Sequence, residues 1–265
     1  MTSEAAQVTR TACTKLSGVF SRVSGSPVSH AVRLSYRLPM HPHLDNVFWH
    51  ALSGPQLHFS AGSARARRYA PGLSPIFAFA DLERPDFDAL SPHCALGEHL
   101  YIADWRGPVP RDWQLVVEAT MHRMVWAGDA PPDDLLPEAI RLGPEHAAQA
   151  TELATLTRPG PFGPRTIELG DYFGCFDAGR LVAMAGERSN AGTLREISGV
   201  CTHPGFQGRG LARKLMNKLI RRQVMRGETP FLHVMCSNEA AHALYLRMGF
   251  RDHLEPVTVR VLSRL

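Results

Sequence analysis

The chain has 265 residues, of which 44% are hydrophobic and 20% are charged. This length and composition are enough to bury a core in one large or two small domains, and they exclude wholesale disorder. The longest uncharged aromatic stretch, residues 69–80, is shorter than the roughly 18 apolar residues of a membrane span and carries two prolines. The composition therefore predicts a globular chain that does not cross a membrane.

The charges and cysteines narrow the class of partner only slightly. A formal net charge of +4 permits nucleic acid, an anionic cofactor or no anionic partner at all. The five cysteines lie far apart and form no C-x-x-C pair, so they indicate neither a disulfide framework nor a zinc site. We therefore expect no metal, and a reducing cytoplasm as the location.

Residues 1–40 are rich in Ser, Thr and Val and carry five basic side chains against Glu4 alone. Such a bias is typical of organellar transit peptides, but the segment lacks a clear amphipathic period and the apolar core of a secretory signal. An over-extended start codon would give the same pattern. The sequence predicts a disordered tail over residues 1–40.

Residues 41–127 show a mixed pattern without a catalytic motif. Strand-like runs, separated by Pro and Gly turns, lie at residues 56–59, 75–80, 99–104 and 114–118. Residues 128–137 then gather three prolines and three aspartates, a composition typical of a solvated linker between domains. We therefore predict an N-terminal mixed α/β domain over residues 41–130 and a second domain over residues 131–265.

The second segment has the alternating order of an α/β fold. Pro144 begins a helix after a short strand at residues 139–142, and a turn at residues 177–180 joins two strand patterns. The remaining elements are a strand at 194–202, a helix at 210–226, a strand at 231–235, a helix at 238–248 and a strand after Phe250.

The junction between a strand and a helix at residues 205–210 is the most informative feature. Gly205, Gly208 and Gly210 let the backbone turn tightly and approach a ligand closely. The free N–H groups of a helix start attract negative charge, so this turn predicts an anion site.

Basic side chains follow this turn along the helix. Arg209 and Arg213 lie one turn apart at the helix start and are phosphate candidates, whereas residues 218–226 are expected on a solvated face. The turn lacks the Lys-Ser/Thr ending of an NTPase P-loop and a complete G-x-G-x-x-G, which argues against ATP, GTP and NAD. We expect a ligand that carries a diphosphate.

Two motifs resemble the GNAT superfamily of acyl-coenzyme A N-acyltransferases. Residues 207–212, QGRGLA, match its Q/R-x-x-G-x-G/A signature, and residues 238–250, NEAAHALYLRMGF, are similar to its N-x-x-A-x-x-L-Y-x-x-x-G-F block. The resemblance covers about residues 138–265 and is closest in pattern to the glycine N-acyltransferase-like branch, in which an extra N-terminal domain precedes the core. It implies a mixed central sheet with splayed fourth and fifth strands, and it suggests that residues 41–130 are a degenerate copy of the same fold.

The resemblance also implies that acetyl-coenzyme A lies between the splayed strands. Its pantetheine would contact the strand at Val200, Cys201 and Thr202. Its diphosphate would be held at the helix start by Gln207, Gly208, Arg209, Gly210, Leu211 and Ala212. Asn238 would contact the cofactor or cap its own helix, and the two roles are compatible.

An amine that attacks a thioester must first be neutral. At pH 7 this costs roughly 4 to 5 kcal/mol for a lysine-like amine but only about 1 kcal/mol for an α-amino group. By resemblance, Glu196 holds the position of the catalytic glutamate in histone-type and glycine-type members. Strand alternation places it on the face of Val200 and Thr202. The alternative is a carboxylate paired with Arg195 or Arg188.

Two further side chains are candidates for proton transfer. His233 is the rival base, because it lies where ribosomal-protein N-acetyltransferases of the family have a glutamate; a packed, hydrogen-bonded histidine is the alternative. Tyr245 holds the family's general-acid position and would protonate the departing thiolate, although its helical apolar stripe also fits a core tyrosine. Cys201 and Cys236 are expected to pack rather than react.

These expectations describe an N-acyltransferase that moves an acetyl group from acetyl-coenzyme A to a primary amine by direct attack. The acceptor is a small-molecule amine or a peptide amine, and neither nucleic acid nor a membrane is expected as a partner. The acceptor's identity, the acyl chain length and the oligomeric state are not readable from the sequence. The alternative is a non-catalytic acyl-coenzyme A sensor or interaction module, which predicts cofactor binding without product.

Overall fold

Twelve strands and five α-helices make up residues 41–265, which are the residues that the computed structural model describes. The predicted tail at residues 1–40 lies outside them. The strands are β1 (Ser60–Gly62), β2 (Ala66–Tyr69), β3 (Phe77–Phe79), β4 (His99–Ala103), β5 (Trp113–Trp126), β6 (Ile140–Arg141), β7 (Tyr172–Asp177), β8 (Arg180–Ala191), β9 (Leu194–Thr202), β10 (Thr229–Met235), β11 (Phe250–Asp252) and β12 (Val257–Arg264). The helices are α1 (Val47–Ser53), α2 (Phe87–Leu90), α3 (Ala147–Thr157), α4 (Leu211–Met225) and α5 (Glu239–Met248).

One mixed sheet dominates the fold. Its strand order is β4-β12-β5-β10-β9-β8-β7-β6, with β11 paired to β5, and β1 to β3 form a separate small sheet. Both faces of the large sheet are covered. Along β8, Ala183 and Ala185 pack in the cluster that includes α4, whereas Met184 between them packs in the cluster that includes α3. The predicted α/β class with a central mixed sheet is confirmed.

The elements predicted for the second segment are confirmed in order and type. Pro144 begins a short 3-10 turn, and α3 follows it directly. α4 forms because apolar residues recur at helical spacing, so that Leu215, Met216, Leu219 and Ile220 are all buried. Within residues 41–265, no helix is both long and apolar enough to cross a membrane.

The N-terminal segment departs further from prediction. The strand expected at residues 56–59 is wrong, because Leu57–Phe59 forms a 3-10 turn. The run at residues 114–118 belongs to β5, which is much longer. Helix α1 was not predicted, although Val47, Phe48, Ala51 and Leu52 are buried along one helical face.

The predicted boundary between residues 130 and 131 does not separate two sheets. β5, from one side of it, pairs with β10, β11 and β12 from the other side. The segment at 128–137 is not a free linker either, because Leu136 is 1% exposed and Asp134 forms an ion pair with Lys218 of α4. The relation of residues 41–130 to a degenerate copy of the fold stays a prediction.

The strands that form the site diverge. β9 and β10 run parallel and pair only from Leu194 with Thr229 to Glu196 with Phe231. Beyond that point β10 continues along β5, while β9 continues along β8. The two strands therefore separate after Glu196 and open a cleft in the sheet.

Candidate active site

The cleft between β9 and β10 has a volume of about 230 Å³. Glu196 and Val200 line it from β9, His233 and Met235 from β10, and Tyr245 from α5. The loop after α3 supplies a further wall, and Met121 of β5 closes another side. Glu196, Val200, Asn238 and Tyr245 thus meet in one cavity, whereas none of residues 207–212 is among those that line it.

Glu196 is fully buried and held by four hydrogen bonds. Arg188 donates from Nη2 to Oε1 at 2.6 Å and from Nε to Oε2 at 3.0 Å. Ser189 donates its hydroxyl to Oε2 at 2.7 Å, and His233 Nδ1 lies 2.9 Å from Oε1. These contacts occupy all four lone-pair directions of the carboxylate.

A β-bulge explains why two neighbouring side chains reach the same carboxylate. Glu187 pairs with Ile197 and Asn190 with Arg195, so Arg188 and Ser189 together oppose the single residue Glu196. Two residues against one is the defining feature of a bulge, and it directs both side chains to one place.

The electrostatics of Glu196 combine two opposing effects. Burial alone would raise the pKa of the Glu196 carboxyl, but the Arg188 guanidinium and the hydrogen bond from His233 hold that pKa well below its usual range. The carboxylate therefore stays ionised in a buried site. The contacts of Glu196 match the predicted alternative, an ion pair with Arg188. Any role of Glu196 as a base must therefore operate while this ion pair is present.

His233 is also engaged at both ring nitrogens. Its Nε2 accepts from Arg123 Nε at 3.0 Å, so its Nδ1 is the atom that donates to Glu196. Burial lowers the pKa of His233, with Glu196 opposing that effect. Arg123 in turn donates to the Leu44 carbonyl and to Asp104, each at 2.6 Å. The packed, hydrogen-bonded interpretation of His233 thus matches its contacts.

The alternation argument for Glu196 and Val200 is wrong. A second bulge lies in β9, where Ala185 opposes both Gly199 and Val200, and Gly199 has a φ of +62°. The bulge switches the faces, so that Val200 packs in the cluster of Ile197 instead of on the side of Glu196. Both residues still line the cleft.

Tyr245 lies in the cleft wall, half-buried, with its ring edge-to-face against Phe250 at 6.1 Å. Burial raises the pKa of its phenol to about 12. The hydroxyl therefore stays protonated across the neutral range. Packing and a hydrogen-bonding role are both compatible with this position.

The glycine turn before α4 has the geometry of an anion site. Gly208 and Gly210 have φ values of +78° and +73°, and no atom lies within 4 Å of the place where a Cβ would stand on either. Gly210 precedes α4 and offers no side chain to cap it. The first N–H groups of the helix are thus left for another acceptor.

The basic side chains of α4 divide into two groups. Arg209 lies over the Phe206 ring at 4.6 Å, beside the turn. Farther along, the expected solvated face is confirmed in part, because Arg222 and Arg226 are exposed, although its cations also hold other parts of the chain. Arg222 and Arg226 pair with Asp171, and Arg221 donates to the carbonyls of Pro131 and Pro132.

The remaining residues that were predicted to contact the cofactor differ in the groups that they could present to it. The Cys201 side chain is buried in the cluster of α3, where burial raises the pKa of its thiol to about 11, so only its backbone could serve a ligand. The buried Thr202 hydroxyl has no hydrogen-bond partner within residues 41–265. Asn238 caps α5, accepting from the Ala241 N–H at 3.2 Å, and lines the cleft as well.

Sequence reasoning missed part of the site. Arg123, which is only 3% exposed, donates hydrogen bonds to both Asp104 and His233. The sequence segment around it showed no catalytic motif. A lone arginine inside the apolar run of residues 121–126 was the available signal, because a buried charge must be paired. Arg158, at the start of the loop after α3, also lines the cleft.

Comparison with known proteins places this site in a family. A family model described as FR47-like protein matches residues 172–261. N-alpha-acetyltransferase RimI from Mycobacterium tuberculosis is 35% identical over 83 residues, which are 30% of this chain and 51% of RimI. The match thus spans about half the length of that curated relative.

Solved structures extend the comparison to nearly the whole chain. A protein from Novosphingobium aromaticivorans, described as an acetyltransferase from the GNAT family, is 34% identical with a TM-score of 0.76, over 85% of this chain and 100% of that one. A GCN5-related N-acetyltransferase from Kribbella flavida has a TM-score of 0.52 at 15% identity, over 81% of this chain and 93% of its own, and shares the fold alone. Because the first of these is matched along its full length, the chain belongs to the GNAT family of acetyltransferases.

Proposed function

We propose that the protein transfers an acetyl group from acetyl-coenzyme A to the α-amine of an amino acid or peptide, by direct attack in the cleft between β9 and β10. The observation that carries the proposal is the convergence of the open β9 backbone and the Tyr245 phenol on one cavity, with the uncapped start of α4 following β9 along the chain. GNAT acetyltransferases use acetyl-coenzyme A, which supplies an acetyl thioester.

The residues present fit this cofactor. Among residues 41–265, the β9 backbone beyond Glu196 has no strand partner on its β10 side, which leaves Val200 and Thr202 available to contact a pantetheine. The buried Thr202 hydroxyl, which has no hydrogen-bond partner among the described residues, lies on the same strand. Gly208 and Gly210 leave open space over the helix start, where the backbone N–H groups of Gln207 to Ala212 would hold a diphosphate.

The charge of the cleft favours an α-amine acceptor. Among the described residues that line it, Glu196 is the only carboxylate, and it is already paired with Arg188. A polyamine or an aminoglycoside would need several acidic side chains. Arg158 is exposed at the cleft and forms no ion pair with the described residues, so it suits an acceptor that carries a carboxylate.

Proton removal from an α-amine requires only a weak base, because deprotonation at pH 7 costs about 1 kcal/mol. We propose Glu196 as the proton acceptor and His233 as the residue that positions it; because the pKa of Glu196 is held well below its usual range, the proton would pass on to solvent instead of staying on the carboxylate. A proton taken by Glu196 would displace one of the four hydrogen bonds on its carboxylate. Tyr245 would donate a hydrogen bond to the departing thiolate, since its phenol remains protonated.

Titration calorimetry with acetyl-coenzyme A tests the cofactor site. We expect one binding site per chain, and no binding at millimolar cofactor would contradict the proposal. Binding without turnover against a broad amine panel would instead favour the sensor or interaction module. The calorimetric and kinetic results together distinguish the two functions.

A pH profile of Glu196→Gln tests the base. If Glu196 takes the proton, kcat/KM at pH 7 falls about fivefold to tenfold, the factor that corresponds to about 1 kcal/mol, and the loss narrows towards pH 9, where the amine is neutral without help. Glu187→Gln is the matched control, because Glu187 is a buried carboxylate bonded to Gln223 and Arg226 and does not line the cleft. A loss that is constant across pH would remove the base assignment.

Two finer features of the proposal follow from the chain. A specificity like that of glycine N-acyltransferases agrees with the position of Arg158 beside the cleft. Arg158→Met should then raise KM for glycine by a larger factor than the factor by which it changes kcat. We place the reaction in the cytoplasm, since the four cysteines within the described residues are all free thiols.

A further inference from the structure

A cluster of two histidines and one aspartate lies outside the cleft. His122 stands on β5, His242 on α5 and Asp252 on β11. One ligand atom from each lies within 4.8 Å of the others, and no other group of three metal-ligating side chains was found among residues 41–265. The cluster escaped the sequence analysis because its members are distant along the chain.

The geometry of the cluster converges on the carboxylate. His242 Nε2 lies 2.9 Å and 3.1 Å from the two oxygens of Asp252, and His122 Nδ1 lies 3.4 Å from Oδ1. The two imidazole rings are stacked, with centroids 4.0 Å apart and planes 8° from parallel. One nitrogen of each ring thus points to the same oxygen.

The distance from His122 Nδ1 to the carboxylate already equals the edge of a tetrahedral site, whereas the 2.9 Å from His242 Nε2 is a hydrogen bond that must lengthen, and the stacked rings must turn for both nitrogen lone pairs to meet at one ion. With metal–nitrogen and metal–oxygen bonds of about 2.0 to 2.2 Å, neighbouring ligand atoms of a tetrahedron lie about 3.4 Å apart. Asp252 has no Lys or Arg partner within the described residues, and the two histidines are its only ionisable partners there. The side chains are 21% to 37% exposed, which gives an ion access from solvent.

We propose that His122, His242 and Asp252 bind a Zn²⁺ ion, with a fourth position open to solvent. Two imidazoles and a carboxylate are ligands that zinc accepts, and three protein ligands leave one position for water. The ion would join β5, β11 and α5. Because α5 carries Asn238 and Tyr245, the site would fix the helix that forms one wall of the cleft.

Zn²⁺ titration of the full chain, first stripped with a chelator, tests the proposal without using activity. We expect one ion per chain, and at least about tenfold weaker binding in Asp252→Asn and in His242→Gln. His43→Gln is the matched control, because His43 and His50 form the other stacked imidazole pair, with centroids 4.4 Å apart, and belong to no group of three. Its affinity should equal that of the unaltered chain.

Co²⁺ absorption provides a second readout that does not depend on variants. A tetrahedral site with two nitrogen ligands gives visible bands that Zn²⁺ abolishes, and Asp252→Asn should lack them while keeping the circular dichroism of the folded protein. Absence of Zn²⁺ binding at about 1 mM, or equal affinity in the ligand variants and the control, would overturn the proposal. Failure here would leave the acetyltransferase proposal untouched, since no step of it uses the ion.

Discussion

The buried pair of Arg188 and Glu196 is the side-chain contact on which the site depends most. Replacing one partner of such a pair leaves an uncompensated charge and costs about 3 to 5 kcal/mol. We expect Arg188→Met to lower the free energy of unfolding by that amount at pH 7, as measured by urea denaturation. Arg165→Met is the control, because Arg165 pairs with Glu168 at the surface and its loss should change little.

The loss of stability in Arg188→Met should depend on pH. The pKa of Glu196 is lowered in the folded protein, so its stabilising contribution is present above the unfolded value, near pH 4.3, and is lost as pH falls through that value towards the folded one. In Arg188→Met, burial without the guanidinium raises the pKa instead. The difference in unfolding free energy between the two proteins should therefore shrink from pH 7 to pH 4. An unchanged difference would contradict the role of this ion pair.

Tyr245→Phe isolates the phenol from the packing of its ring. If the hydroxyl assists the departing thiolate, kcat falls at least about 100-fold while the melting temperature is unchanged. Tyr101→Phe on β4, which does not line the cleft, should leave both quantities unaltered. A lower melting temperature with unchanged kcat would assign Tyr245 to the core.

At the scale of elements, glycine variants on either side of α4 distinguish a loss of cofactor binding from the effect of backbone strain. Gly208→Ala and Gly227→Ala both force a side chain into positive φ, at +78° and +75°, with open space around the new Cβ. Each should cost about 1 to 2 kcal/mol of stability. Only Gly208 lies at the proposed diphosphate site, so only its variant should weaken acetyl-coenzyme A binding, by at least tenfold in calorimetry. Equal loss of binding in both would remove the site from this turn.

The sequence predicts local elements well and the details of pairing poorly. β9, α4 and α5 are read correctly because their periodicity and glycine signals are contained in the elements themselves. The bulges opposite Glu196 and at Gly199 depend on the register between β8 and β9, and no single-strand pattern shows it. Alternation therefore placed Val200 on the wrong face.

The candidate site was predictable where one motif carries the residue. Tyr245 and the glycine turn were found from their motifs and Glu196 from its place on the strand before the glycine turn, and the structure brings Glu196 and Tyr245 to one cleft. The side chains that bond to Glu196 were harder to predict from the sequence. Arg188 was only an alternative partner, and the contact of Arg123 with His233 joins residues 110 positions apart.

At the scale of the whole molecule, the large sheet makes the two predicted domains interdependent. β10, β11 and β12 all pair with β5, which lies in the N-terminal segment. A fragment of residues 131–265 loses that central strand, so we expect it not to unfold cooperatively, whereas the full chain should show one urea transition by circular dichroism and by tryptophan fluorescence. Two separate transitions in the full chain, or a cooperatively folded fragment, would support independent domains.

The central claim is that the cleft between β9 and β10 acetylates α-amines. The release of coenzyme A thiol from acetyl-coenzyme A, measured against a panel of amino acids, short peptides, polyamines and aminoglycosides, tests it most directly. We expect turnover with α-amines, strongest for acceptors that carry a carboxylate near the amine, and little with polycationic amines. Turnover confined to polyamines or aminoglycosides, or none with any amine, would contradict it.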